Sequence, residues 1–341
     1  MASHTSTLCD RGAVSTRPAT RIRALLVTAL LVMCVAVVDI YAQEVPVATW
    51  YCGISLTVPG IYNMTNDISC PNGGTGISIL SSDITLNLQG HSIAGPSNRR
   101  YLTQGVNVIA ERVTIEGPGT IRDFTYGIVL NRYSTISHVH IEDFNLYGIV
   151  AGDNNTIAYN TLHPYSAGAN YGIRINFPTN SYVASNVVMG SAYGVWLLGV
   201  GTNAQVKQNA LIGNQYGLAV DYLSDIQMTV AENDLSNNSY CGAVINGYGE
   251  ITNNYFNANA YSGLCLRAGA GFSVNNNRAF RNGSYGISVE NSSGNNIQSN
   301  TAIGNGDLDL RWNGNGGGNT WANNHCDTWS VNLGDRPCVF P

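Results

Sequence analysis

Two short segments, Ile121-Arg122-Asp123-Phe124 and Ile141-Glu142-Asp143-Phe144, carry charged residues in matching order. Aligned with each other and with Leu162-His163, they place Arg122, Glu142 and His163 in one column and Asp123 and Asp143 in the next. Two carboxylates about 5 Å apart on neighbouring strands either share a proton or bind Ca2+. Farther along, Arg174 offers a guanidinium to a carboxylate, and Trp196 offers a ring to a sugar face. A His or Tyr base beside such an arginine is what β-elimination or C5 epimerisation of a uronate requires. The candidate catalytic set is therefore His163, Arg174, Asp123, Asp143 and Glu142. The competing, purely structural reading is that they are turn charges pairing with one another in water.

These residues meet only if the segments that carry them stack, and a repeat supplies the stacking. Gly-apolar-x-apolar recurs at Gly76, Gly105, Gly127, Gly148, Gly172, Gly194, Gly217, Gly242, Gly263 and Gly286, with Asp307-Leu308-Asp309-Leu310 as a last, degenerate copy. A second signal, apolar-x-x-Asn, keeps step with it and ends on Asn160, Asn186, Asn209, Asn233, Asn254, Asn277, Asn300 and Asn324. Units of about 22 residues with short strands and no helical period cannot bury an apolar face alone, but stacked in parallel they build a continuous core. The fold expected is all-β: a single-stranded parallel β-helix of about eleven coils with three short parallel sheets. The asparagines should superpose as a ladder, Phe124 should lie over Phe144, and the tyrosines before the corner glycines should form a column. The glycines themselves are read as permitting a tight or left-handed corner.

Strand alternation defines two outward rows. One runs Arg174, Trp196, Ala219, Val244, Cys265, Ser288 and Asp309, the next Asn176, Leu198, Asp221, Asn246, Arg267, Glu290 and Arg311. Trp196, Asp221, Arg267 and Glu290 are the carbohydrate-binding candidates, with an exposed charge ladder as the alternative for Arg267, Glu290 and Arg311. His138 and His140 read as packed or surface histidines, and Gly90-His91-Ser92 as a turn. No metal site and no cofactor is expected, Ca2+ at the acidic pair being the one cation these residues suggest.

Composition narrows the partners. Charged residues make up 11% of the chain and the formal net charge is −5, which becomes −7 without residues 1–42, where four arginines oppose two aspartates. With one lysine, Lys207, there is no basic stripe for nucleic acid. Ala24 to Val38 is an uncharged apolar run behind Arg17, Arg21 and Arg23, which reads as a signal peptide over 1–42. Residues 43–75 are expected to cap the solenoid, 76–325 to form it and 326–341 to close it. Six cysteines follow the leader; proximity pairs Cys52 with Cys70 and Cys326 with Cys338, each loop contributing about 3 kcal/mol. Cys241 and Cys265, three positions out of register on adjacent coils, should have backbones about 10 Å apart, too far for a bridge at about 5.5 Å unless a bulge corrects the register, so their pairing stays open. Zinc is disfavoured for want of a C-x-x-C or His pattern.

Leu86-Asn87-Leu88-Gln89-Gly90-His91-Ser92-Ile93, followed by Ile115-Glu116-Gly117-Pro118-Gly119-Thr120-Ile121, resembles the opening coils of exported right-handed β-helix repeat proteins of the pectin-lyase-like superfamily. The resemblance spans about Cys52 to Cys326. With the leader-like segment, the expectation is a secreted, periplasmic or cell-surface protein, a monomer off the membrane after leader cleavage, that binds a polysaccharide, a cell-surface glycan or another partner along its side. Because this fold also carries lyases and epimerases, activity on acidic polysaccharides is the alternative.

Overall fold

The computed structural model describes residues 43–96, 102–166, 170–221, 224–333 and 337–339. The expected leader, 1–42, lies outside them. Among the described residues no helix is long and apolar enough to cross a membrane.

The structure is a parallel β-solenoid. Its first sheet stacks twelve strands, from Ile54–Leu56 through Tyr171–Asn176 and Tyr193–Leu198 to Leu308–Trp312. The other strands form the two remaining faces, which run into each other where Thr114–Arg122 and Thr135–Phe144 bend without a break. All named strand pairings are parallel and one coil apart, for example Ile173 with Val195 and Val195 with Leu218. Inward residues of every coil, such as Ile128, Ile149, Ile173 and Leu218, are fully buried. This is the continuous core that no single repeat could form.

The predicted ladder is present. Asn209 donates from its backbone N and its Nδ2 to Asn233 Oδ1, at 2.9 and 3.0 Å, and its own Oδ1 accepts the same pair of bonds from Asn186. The pattern continues from Asn160 to Asn324. The residue before each ladder position takes the left-handed conformation, as at Ser185, Gln208, Glu232 and Asn253. The sharp corner therefore falls there, where buried amides satisfy the backbone groups it leaves behind. A second ladder, Asn214, Asn238, Asn259, Asn282 and Asn305, runs along another edge. It ends on buried Asp309, whose carboxylate accepts from Asn305 on one oxygen and from the backbones of Asp327 and Thr328 on the other.

Three expectations need correction. The corner glycines are not left-handed; a Cβ on Gly148 would lie 2.7 Å from the Gly172 carbonyl oxygen, so they are required by the close approach of the next coil. The last coil is displaced by two residues: Ser288 pairs with Arg311, and Asp309 occupies the inward place of Gly286. Segment 43–75 already belongs to the stack, because Ile54–Leu56 pairs with Thr75–Ile79 and Gly60–Asn63 with Ile84–Asn87. Residues 43–47 pair with Gly60–Asn63 in turn: Val45 N bonds Ile61 O at 2.8 Å, and Glu44 forms a parallel bridge with Ile61. Cys241 and Cys265 keep their three-position offset, yet their Sγ atoms are 3.7 Å apart. The reason lies in the corner, where Gly127 and Ile128 are buried in succession between half-exposed Tyr126 and Val129, so residues i and i+3 face the same way. A regular alternation would have put them on opposite faces.

Cys52 is joined to Cys70 and Cys326 to Cys338, with Cα atoms 5.3 and 5.6 Å apart. Leu310 and Asn324 form bridges with Trp329 and Cys338, which lays the C-terminal segment over the last coil.

Candidate functional site

The shared direction of positions i and i+3 gives the first sheet an outer face with two adjoining rows of side chains. The first row is aromatic. Rings of Tyr126, Tyr147, Tyr171, Tyr193 and Tyr216 follow one another at 4.9 to 5.4 Å. Cys241 then takes the tyrosine position beside Tyr216, and Tyr240, one residue earlier, supplies the next ring at 5.1 Å. Tyr261 and Tyr285 continue the column.

The second row brings Trp196 over this column. Its ring stacks on Tyr171 at 4.8 Å and on Tyr193 at 5.4 Å. Arg174, its in-register neighbour, lies 5.0 Å from the Trp196 ring and 5.3 Å from that of Tyr147. The guanidinium donates to the Tyr147 hydroxyl at 2.7 Å and from Nε to Asn176 at 3.1 Å. Among the described residues no carboxylate is its partner.

Beyond Trp196 the face opens into a cleft of about 250 Å³ lined by Tyr193, Trp196, Tyr216, Asp221, Asn246 and Arg267, with Ala219, Val220 and Val244 beneath. Burial raises the pKa of the Tyr193 hydroxyl and lifts that of Tyr216 to about 12, so both stay protonated and serve as hydrogen-bond donors. One wall is the charge ladder: Arg267 Nε lies 3.2 Å from Glu290, which also pairs with Arg311, and Arg311 covers the Tyr285 ring at 4.6 Å. The ladder is half-buried rather than fully exposed.

The candidate residues are thus divided between faces. Trp196, Asp221 and Arg267 meet in the cleft, with Glu290 behind Arg267 and Arg174 at the far side of Trp196. The predicted column Arg122, Glu142 and His163 is in register, but on a different sheet. There Glu142 pairs with His140 at 3.0 Å, and Asp123 pairs with Arg122 at 2.9 Å. Asp123 and Asp143 both take the left-handed conformation of a corner. None of His163, Asp123, Asp143 and Glu142 is a partner of Arg174. The regular tyrosines read in the sequence as a structural column, with a sugar-binding strip as the alternative; Tyr193 and Tyr216 stack in the column and also line the cleft, as does Asn246. His138 stacks on Tyr159 at 5.1 Å.

Comparison with known proteins agrees with this architecture. A family model described as a right handed beta helix region matches residues 200–327. No curated protein matches the chain by sequence. Among solved structures, the periplasmic alginate epimerase AlgG is similar at a TM-score of 0.55 and 15% identity, over 80% of this chain and 78% of that one. The hyperthermoactive exopolygalacturonase from Thermotoga maritima is similar at 0.53 and 12%, over 80% and 84%. At such identities the likeness is one of fold. The chain has the right-handed parallel β-helix fold of the pectin-lyase-like proteins.

Proposed function

We propose that this is an exported, monomeric β-helix protein that binds an acidic polysaccharide along the outer face of its first sheet. The observation that carries this reading is Arg174, held by Tyr147 and Asn176, flanked by two rings and lacking a carboxylate partner. A fixed, half-buried guanidinium without a counter-ion favours an arriving carboxylate. Trp196 supplies a ring beside it. Tyr193 and Tyr216 supply donors, and Asp221 and Asn246 supply acceptors for sugar hydroxyls. Two proteins of similar fold, an alginate epimerase and an exopolygalacturonase, are consistent with a glycan partner. The basic and apolar leader and the two disulfides support export. Affinity electrophoresis through alginate, polygalacturonate and a neutral glucan tests the proposal. Retardation by the uronates alone is expected, and free migration through all three would refute it.

A second reading, lyase or C5-epimerase activity on the same polymers, is favoured by one contact. The Tyr147 hydroxyl lies 2.7 Å from Arg174, placing a proton acceptor beside a carboxylate clamp. Absorbance of an unsaturated product, or NMR of C5 inversion, with Tyr147→Phe as control, tests it. Absence of both products in the wild-type protein removes it.

A further inference from the structure

Cys241 and Cys265 take no part in the sugar-binding cleft as described, and they are fully buried. Cys241 stands in the tyrosine row beside Tyr216, whereas Cys265 stands in the second row beside Val244 and Ser288. Their backbones are offset as those of Tyr171 and Trp196 are, whose rings likewise meet across one coil. In this arrangement the side chains converge on one point, with sulfurs 3.7 Å apart, from strand positions that are not paired with each other. The structure holds both as free, buried cysteines. Among the described residues no group of three His, Cys, Asp or Glu side chains could hold a metal ion, so tetrahedral zinc lacks its ligands here.

We propose that Cys241 and Cys265 form a two-coordinate dithiolate site for a soft monovalent d10 cation of the class of Ag(I) or Cu(I). Each thiol releases its proton as its sulfur bonds the metal; nothing is oxidised or reduced, and two protons leave per ion. The S–M–S unit carries one negative charge, which faces Arg267. With metal–sulfur bonds of about 2.3 Å, a linear unit needs sulfurs about 4.6 Å apart. The required opening of about 0.9 Å is within reach of side-chain rotation. Val244, the in-register neighbour of Cys265, is part of the cleft floor, so the cleft provides the approach.

Intact-protein mass spectrometry after incubation with Ag(I), with the two disulfides kept, tests the proposal. The expected product carries one silver per chain and has lost two hydrogens, while equimolar Zn(II) gives no adduct. Cys241→Ala/Cys265→Ala should take up no silver, its fold being checked by circular dichroism. Since that variant removes buried groups, a second measurement uses the wild-type chain from residue 43 onward, which lacks Cys9 and Cys34: thiol titration in denaturant should count two free thiols, and bound Ag(I) should block both in the native protein. Zero thiols would show a disulfide and overturn the site, as would silver retained by the double variant or a stable zinc adduct.

Discussion

Arg174 and Trp196 are in-register neighbours on adjacent coils, with the guanidinium carbon 5.0 Å from the indole ring. Stacking of this kind contributes about 0.5–2 kcal/mol and fixes the direction of the remaining donors. Replacing the charge while keeping a polar chain, as in Arg174→Gln, should weaken binding of an oligouronate about tenfold, equivalent to about 1.4 kcal/mol. Binding of any neutral glycan should change little. Titration calorimetry with matched acidic and neutral oligosaccharides distinguishes the two effects, and equal losses for both would point to collapse of the face.

Asn209 serves its neighbours in both directions, so Asn209→Ala takes the shared acceptor from Asn186 N and Nδ2 and one donor each from Asn233 Oδ1 and Val183 O in the core, while the residue-209 backbone N–H still reaches Asn233. The expected loss is about 3 kcal/mol, from buried polar groups that cost about 1–3 kcal/mol each when unmade. Gln205→Ala, on the outer surface of a neighbouring strand, should stay within about 0.5 kcal/mol. Urea denaturation midpoints measure both.

Two glycines separate steric from conformational cost. Gly148→Ala drives a methyl to 2.7 Å from the Gly172 carbonyl oxygen at an ordinary backbone angle. Gly213→Ala meets nothing within 4 Å, yet its φ is +66°. The second should cost about 1–2 kcal/mol from left-handed strain alone. The first should cost more, because rigid stacked backbones must part. Reversal of that order in thermal melts would contradict the close-approach explanation.

Acid should weaken the N-terminal coils through Asp67. The Ser92 backbone N–H, at 2.8 Å, and then His91 hold its carboxyl below the ordinary 3.8, against a small opposing effect of burial. A lowered folded-state value stabilises above the unfolded value and is lost as pH falls through the folded one. The stability difference between wild type and Asp67→Asn should therefore be small, present near neutrality, and lost as pH falls through and below the ordinary carboxylate range. Chemical denaturation at stepped pH reads it.

Much of this was legible in the sequence. The ladder from Asn160 to Asn324 and the tyrosine column were visible because each coil reuses the same residue at the same offset. Three of the carbohydrate candidates, Trp196, Asp221 and Arg267, do converge. What escaped notice depends on departures from regular alternation. The paired burial of Gly127 and Ile128 turns i and i+3 to one side, which explains why Cys241 and Cys265 approach and why tyrosines enter the cleft. Asp309 misled because a carboxylate ending an asparagine ladder replaces the expected glycine. Columns such as Arg122, Glu142 and His163 are fixed by register, yet register does not say which sheet faces Arg174.

The central claim, an acidic glycan seated on the aromatic face, is tested most directly by calorimetric titration of the protein and its Trp196→Ala variant with an oligouronate. Saturable binding by the wild type, weakened about tenfold or more in the variant at unchanged melting temperature, is the predicted result. No heat with the wild type, or undiminished affinity in the variant, would contradict it.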